Sequence, residues 1–238
     1  MNKVYLIGAG PGDHTLITLK GMNVLEKSDV VLYDNLVSTT LIKKIPKNIK
    51  KINVGKIKGK DTDAMQENIH KLIKKYYSEG MNVSRLKGGD PFLFGRGGEE
   101  IEFMKKENIR YEVIPGITSA IGVPTNIGLP LTHRNVSSSV MIVSAHLKDN
   151  SEPDWKAMAA FKGTLVILMG VSKISDIKKH LIDNGMDSET PFCIIQNGTT
   201  KKQKILKGKI KSITDISKKN NIKSPAVIVI GKVVNFIV

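Results

Sequence analysis

Three glycine-rich segments follow short apolar runs of the chain, at residues 8–13, 88–92 and 115–120. Glycine has no side chain, so it lets the backbone approach a ligand closely. In the second segment, Asp90 adds a carboxylate that can accept hydrogen bonds from hydroxyl or ammonium groups. These segments indicate a binding site for a polar organic ligand, although a simple tight turn would use the same residues.

The first segment does not fit the common phosphate-binding patterns. A dinucleotide-binding G-x-G-x-x-G pattern that starts at Gly8 would place its third glycine at position 13, which is Asp13. Pro11 lacks the backbone N–H that a pyrophosphate needs, and no Gly-Lys-Ser or Gly-Lys-Thr sequence follows. We therefore expect this loop to approach a ligand through its backbone without binding phosphate.

The third segment carries two hydroxyls, Thr118 and Ser119, that either contact a ligand or cap a helix. His133 and Arg134 follow it after a proline-led turn. Their side chains either pack against the protein or bind substrate, and the sequence does not favour one role over the other. Arg96 lies among glycines just before a predicted helix, where a planar donor fork and a helix start would together suit a carboxylate. Arg85 lies just before the second segment. Arginine is rare in this chain, so the presence of Arg85, Arg96 and Arg134 close to these segments indicates anion recognition.

An alternation of short apolar runs with longer amphipathic stretches predicts the α/β layers that position these segments. In the first part of the chain we predict strands at residues 4–7, 30–33, 52–54, 82–86 and 111–114, and helices at residues 16–27, 63–79 and 99–106. In the second part we predict strands at residues 140–144, 164–169, 192–195 and 226–230, a helix at residues 174–184, and a polar hairpin at residues 204–211. We place the two domains at residues 1–114 and 115–238.

Composition limits the class of protein. The net charge is +15, but the excess is mostly lysine, which fits solvated helix faces. A non-catalytic nucleic-acid binder would place stacking aromatics beside its lysines, and the lysine-rich residues 201–223 contain none. No apolar run approaches the roughly 18–20 residues needed to span a bilayer. We expect neither nucleic acid nor membrane as a partner.

The single cysteine, Cys193, cannot form an intrachain disulfide or a cysteine cluster for a metal. The first residues lead directly into a predicted strand, without the apolar region and cleavage site of a signal peptide. We therefore expect a cytoplasmic protein without a metal.

Taken in order, the motifs resemble the tetrapyrrole methyltransferase family over residues 4–234. The GRGGEE and PLTHR motifs favour the branch that acts on uroporphyrinogen III over relatives that methylate later corrinoids or diphthamide. A methyltransferase for a later precorrin is the nearest alternative. The segments that carry the resemblance are VYLIGAGPGDHTLITLKG, VVLYDNLV, VGK, VSRLKGGDPFLFGRGGEE, VIPGITSAIGVPTNIGLPLTHR, TLVILMG and SPAVIVIGKVV.

The resemblance implies two α/β domains with a cleft between them, in a homodimer. It implies methylation of uroporphyrinogen III at C2 and C7 to give precorrin-2, with S-adenosylmethionine as donor, S-adenosylhomocysteine as product and no metal. Met169 ends a predicted strand, and its sequence pattern alone predicts a core position. By matched position, the cofactor-binding residues are Pro11, Gly88, Gly89, Asp90, Leu93, Thr118, Ser119, Met169, Gly198 and Ala226.

The resemblance also implies acid–base roles for Asp34 and Lys56, which directly follow predicted strands. A helix cap or solvated turn is the alternative for Asp34, and an ordinary surface lysine for Lys56. Uroporphyrinogen carries an acetate and a propionate on every pyrrole, so a basic site would orient it. Its candidate ligands are Arg85, Arg96, His133 and Arg134. Two positions depart from the family pattern: Gly198, where alanine is more usual, and Ala145, which replaces a glycine.

Overall fold

The computed structural model describes residues 2–55, 61–146 and 151–237. The chain divides into two compact units, Met1–Thr118 and Ser119–Val238. Each unit contains a five-stranded sheet with helices, so the predicted α/β class is confirmed. The boundary proposed from the sequence, between residues 114 and 115, lies in the same loop as this division.

The first unit is built on a parallel sheet in the order β3-β2-β4-β1-β5. Its strands are β1 (Val4–Gly8), β2 (Val30–Tyr33), β3 (Lys50–Asn53), β4 (Val83–Lys87) and β5 (Tyr111–Ile114). Its helices are α1 (Leu19–Leu25), α2 (Thr39–Lys44), α3 (Thr62–Ser78) and α4 (Gly97–Lys106). Helix α1 is shorter than predicted because Thr18 caps its start, accepting a hydrogen bond from the Gly21 N–H at 3.0 Å.

The second unit has a mixed sheet in the order β6-β7-β10-β8-β9. β6 and β7 are parallel, whereas β10 runs antiparallel to both β7 and β8. The strands are β6 (Val140–Ser144), β7 (Thr164–Leu168), β8 (Pro191–Gln196), β9 (Lys204–Lys209) and β10 (Ala226–Ile230). The helices are α5 (Ser119–Asn126), α6 (Trp155–Ala160), α7 (Ile174–Asp183) and α8 (Ile213–Lys219).

The hairpin predicted at residues 204–211 is wrong. This segment contains one strand, β9, which pairs antiparallel with β8. Gly208 does not form a turn: a Cβ there would lie 2.7 Å from Cδ1 of Ile216 and 3.0 Å from Cε1 of Phe192. Glycine at this position therefore serves close packing of the strand against α8.

Strand β4 is unusual among the strands of the first sheet because it buries charged side chains. Parallel strands covered on both faces are usually continuous apolar runs. β4 has the sequence VSRLK, and all five of its residues are buried, including Ser84, Arg85 and Lys87. Burying two cations in one short strand is unfavourable unless each has a partner. The partners of these two cations define the candidate site.

No helix in residues 2–55, 61–146 and 151–237 is long and apolar enough to cross a bilayer. In the same residues, no cluster of three or more histidine, cysteine, aspartate or glutamate side chains could hold a metal ion. Cys193 is fully buried in β8, and burial raises the pKa of its thiol to about 12. The thiol is therefore not a candidate nucleophile.

Candidate active site

The carboxyl edge of the first sheet brings several of the candidate residues together. Because the strands run parallel, the segments that follow them emerge at one edge, where ligands bind in open α/β sheets. Asp34 follows β2, Gly88 follows β4, and residues 115–118 follow β5. Lys56, the predicted partner of Asp34 in proton transfer, lies outside the described residues.

Glycines pack these loops against one another. Gly10 and Gly89 exchange two backbone hydrogen bonds, with N···O distances of 3.2 and 3.0 Å. A Cβ on Gly8 would lie 2.5 Å from Cα of Gly116, and a Cβ on Gly116 would lie 2.3 Å from the carbonyl oxygen of Gly89. These glycines are therefore required for contact between loops. Gly88 likewise faces Leu36, whose Cβ is 2.7 Å from the position of an added Cβ.

Asp90 ties two of these loops together. Its Oδ1 accepts the N–H of Phe92 at 2.8 Å, and its Oδ2 accepts the N–H of Gly116 at 3.1 Å. Each carboxylate oxygen has a second lone-pair direction, so Asp90 can still accept a bond from a ligand hydroxyl or ammonium group. Pro11 is buried, and Leu93 and Thr118 are half-buried.

Gly116→Ala tests the packing of the loops. The added methyl would collide with backbone on two sides, so we expect a loss of about 1–3 kcal/mol in the free energy of unfolding, with weaker binding of S-adenosylhomocysteine. Urea denaturation and calorimetric titration measure the two effects. Gly98→Ala is the matched control, since no atom lies within 4 Å of its added Cβ. Equal stability of the two variants would contradict the packing role of Gly116.

Arg85 lies at the centre of a buried ionic cluster. Its Nη2 donates to Oδ1 of Asp34 at 2.6 Å, and its Nε donates to Oε1 of Glu100 at 3.1 Å. Its Nη1 donates to the carbonyl oxygens of Leu86, at 3.2 Å, and of Leu32, at 3.5 Å. The Arg85 side chain is only 2% exposed, whereas that of Asp34 is 28% exposed. Direct binding of a substrate carboxylate by Arg85 does not fit this burial; Arg85 instead holds Asp34 at the sheet edge.

Glu100 neutralises the second buried cation. Nζ of Lys87 donates to Oε1 of Glu100 at 2.9 Å, and Nε2 of Gln66 donates to the same oxygen at 3.3 Å. Burial acts to raise the pKa of the Glu100 carboxyl, but the charges of Arg85 and Lys87 outweigh it, so the pKa lies below its usual value. Burial, followed by the charge of Arg85, lowers the pKa of Lys87.

The sequence did not single out Lys87, Glu100 or Gln66. A signal was present in the sequence. Arg85 and Lys87 are two residues apart, so their side chains lie on the same face of β4, and the GRGGEE motif contains Glu100, the acid that pairs with both. The pairing itself depends on how α4 packs on the sheet, which sequence spacing does not give.

Arg96 is flanked by carboxylates of its own chain. Its Nε donates to Oε1 of Glu99 at 2.9 Å, and its Nη2 donates to Oδ1 of Asp63 at 3.0 Å. Its backbone is left-handed, with φ of 59°. A substrate carboxylate would have to displace these acids, so the geometry gives little support to the predicted role of Arg96 in binding substrate.

In the second unit, three candidates meet at one edge of the sheet because β10 is antiparallel to its neighbours. Leu168 pairs with Val227, and Gln196 pairs with Ala226. This register places Met169, which follows β7, beside the start of β10 and the segment that contains Gly198. The core position predicted for Met169 by its pattern is wrong: the residue is 46% exposed and its φ is 56°. Strained residues of this kind cluster at functional sites.

Gly198 faces helix α5, of which Ser119 is the first residue. A Cβ on Gly198 would lie 2.3 Å from Cγ1 of Val123. Gly198, which departs from the family pattern, therefore leaves the space that the Val123 side chain occupies. Asn197 and Thr199 on either side have φ values of 50° and 65°, so this loop also stores backbone strain.

His133 and Arg134 have different surroundings. The His133 ring stacks on Phe236 with 4.2 Å between centroids, and its Nδ1 lies 2.6 Å from the carbonyl oxygen of Arg134. The Arg134 side chain is exposed. The His133 ring thus has a stacking partner, whereas substrate binding stays a prediction for Arg134. Ala145 is the second position that departs from the family pattern. The residue after it, His146, contacts Oγ of Ser172 through Nε2 at 3.1 Å.

The first unit thus places the Asp34 carboxylate at the sheet edge where the glycine-rich loops meet, an arrangement that can bind an organic ligand and exchange a proton with it. Residues 3–214 match the family model of the tetrapyrrole (corrin/porphyrin) methylases. The chain belongs to this family.

Three known proteins illustrate the similarity. The chain is 49% identical to a uroporphyrinogen-III C-methyltransferase from Methanocaldococcus jannaschii, over 98% of this chain and 97% of that protein. It is 43% identical to a sirohaem synthase from Nitrosomonas europaea, matching 98% of this chain but 49% of that protein, so it spans about half of that relative. A uroporphyrin-III C-methyltransferase from Thermus thermophilus, solved with S-adenosylhomocysteine, superposes with a TM-score of 0.84 at 36% identity, covering 98% of this chain and 93% of that one.

Proposed function

We propose that the chain transfers methyl groups from S-adenosylmethionine to C2 and then C7 of uroporphyrinogen III, giving precorrin-2 for sirohaem or corrinoid synthesis. The observation that carries the proposal is the Asp34 carboxylate, which a buried arginine holds at the sheet edge where the glycine loops meet. The family and the names of the relatives supply the substrate class.

The described residues fit S-adenosylmethionine by the chemistry of their donors and acceptors. The loops present backbone groups, the Thr118 hydroxyl and the Asp90 carboxylate, which suit the ammonium and hydroxyl groups of such a ligand. Within the second unit, Met169 presents an exposed apolar side chain at the sheet edge that also carries Gly198 and Ala226. When bound, S-adenosylmethionine supplies an electrophilic methyl group without any metal.

The chain contributes alignment and proton transfer. Methylation of a pyrrole carbon that already carries a side chain makes that carbon quaternary and leaves a positive charge on the macrocycle. A proton must therefore leave from a pyrrole N–H or a meso methylene group, and this step needs a positioned base. We assign that role to Asp34, through Oδ2, the oxygen to which Arg85 does not donate. The fixed positive charge of Arg85 keeps Asp34 in the orientation that receives the proton. Lys56 would support proton transfer in the opposite direction, as an acid.

Arg134 is the strongest candidate for binding the substrate carboxylates, since it is exposed, whereas Arg85 is buried and Arg96 is flanked by carboxylates of its own chain. Arg134→Ala is expected to raise KM for uroporphyrinogen about 10- to 100-fold, the value of a lost charge-assisted bond, with kcat little changed. Steady-state kinetics measure this. Neutralising Lys201, Lys202 and Lys204 together is the control and should barely change KM, because exposed charges are screened. Equal effects would mean that the substrate site lies elsewhere.

We further propose that the enzyme acts in the cytoplasm as a homodimer. The family resemblance and the absence of a disulfide support these assignments. Light scattering coupled to size exclusion tests the dimer, and a monomer at assay concentration would contradict it.

The function is tested by incubating the purified chain with methyl-labelled S-adenosylmethionine and, in separate reactions, uroporphyrinogen III or precorrin-2. We expect label in the uroporphyrinogen reaction and a much slower reaction with precorrin-2. Rapid labelling of precorrin-2 with none of uroporphyrinogen III would instead support the alternative, a methyltransferase for a later precorrin.

A further inference from the structure

We propose that Glu100 is a positioning residue for methyl transfer: it orients Arg85, which in turn orients the carboxylate of Asp34. The inference rests on the proposed function, since Asp34 is the base of that reaction. Glu100 itself is fully buried on helix α4 and does not meet the substrate.

The planar guanidinium carries the argument. Arg85 Nε is fixed at Oε1 of Glu100, and Nη1 is fixed at the carbonyl oxygen of Leu86. Because the guanidinium is a rigid fork, fixing these two nitrogens sets the direction of the third. That third nitrogen, Nη2, holds Asp34 at 2.6 Å. Glu100 therefore determines where the Asp34 carboxylate lies.

The charges of the cluster also support a positioning role for Glu100. Arg85 and Lys87 are 2% and 3% exposed, so without Glu100 they would be two buried cations in one strand. Arg85, Lys87 and Gln66 all donate to the same oxygen of Glu100, whereas Oε2 has no hydrogen-bond partner within the described parts of the chain. The three donors converge on one oxygen of Glu100, and Nη2 of Arg85 is directed to Asp34.

The test uses Glu100→Gln, with Glu99→Gln as matched control because Glu99 is the adjacent, half-exposed acid that pairs with Arg96. We expect kcat to fall on the order of 10- to 100-fold in Glu100→Gln, as for a slightly misplaced catalytic group. KM for both substrates and the affinity for S-adenosylhomocysteine should stay within about twofold of wild type, as uniform binding is untouched. Glu99→Gln should match wild type.

A double-mutant cycle separates positioning from simple structural support. In an Asp34→Asn background, Glu100→Gln should lower kcat by less than about threefold, because the group it positions is already lost. If Glu100→Gln does not fold, Glu100→Asp takes its place, since it keeps the charge but shortens the reach to Arg85. A folded Glu100 variant with wild-type kcat, or one whose full loss persists in the Asp34→Asn background, would overturn the proposal.

A stability cycle distinguishes this inference from the function on which it rests. If the wild-type chain transfers no methyl group to uroporphyrinogen, the proposed function fails. Urea denaturation of the same single and double variants still shows whether Glu100 acts on Asp34. Non-additive losses would support the coupling between the two acids, and additive losses would overturn it.

Discussion

Asp34→Asn is expected to lower kcat for methyl transfer by about 10²–10⁴-fold, the usual loss when a general base is removed. Asparagine keeps the size of the side chain and can still accept a bond from Arg85, but it cannot take the proton that the methylated macrocycle must lose. Affinity for S-adenosylhomocysteine should be nearly unchanged. If methyl transfer remains rate-limiting, a smaller loss with accumulation of an intermediate is expected, and single-turnover reactions followed by chromatography resolve it.

The matched control is Asp183→Asn, which changes an exposed acid at the end of α7. This variant should retain the kcat and product ratio of the wild type. An Asp34→Asn variant with the same retained kcat and product ratio would reduce Asp34 to a structural turn residue.

Arg85→Leu is expected to cost about 3–5 kcal/mol in the free energy of unfolding, the usual penalty for breaking a buried ion pair. Among the described residues, removing Arg85 leaves Asp34 without its ion-pair partner and Glu100 with Lys87 as its one cationic contact. We also expect kcat to fall, but by no more than in Asp34→Asn, since the base is present and no longer oriented. Urea denaturation and steady-state kinetics measure both effects.

Arg110→Leu serves as control because Arg110 is exposed, and surface substitutions usually stay within about 0.5 kcal/mol. A stable Arg85→Leu variant with raised KM and unchanged kcat would contradict the buried role. That outcome would restore the direct contact with substrate expected from the sequence.

Regular patterns in the sequence predict the scaffold well. Strands β2, β6 and β10 have the predicted bounds, because each is an apolar run between clear turn residues. Helices α2, α6 and α8 were not predicted, since six or seven residues are too few to show helical periodicity. Long periodic elements can be recognised locally, whereas short ones depend on tertiary packing.

The candidate site was predicted only in part. The loops and Asp34 follow strand ends, a position that sequence order reveals. The roles of the glycines did not follow from sequence, because Gly8 and Gly116 meet only when β1 and β5 pair. The burial of Arg85 did not follow from sequence either. A cation next to a glycine-rich loop suggests an exposed binding residue, and only the structure shows that Arg85 is buried against Glu100.

The most direct test of the account is the position of the transferred methyl groups. The chain is incubated with uroporphyrinogen III and S-adenosylmethionine labelled with ¹³C at the methyl group, and the product is analysed by NMR. The account predicts label at C2 and C7 only, with the C2-methylated intermediate formed first. Label at any other ring carbon, or on a substituent oxygen, would contradict it.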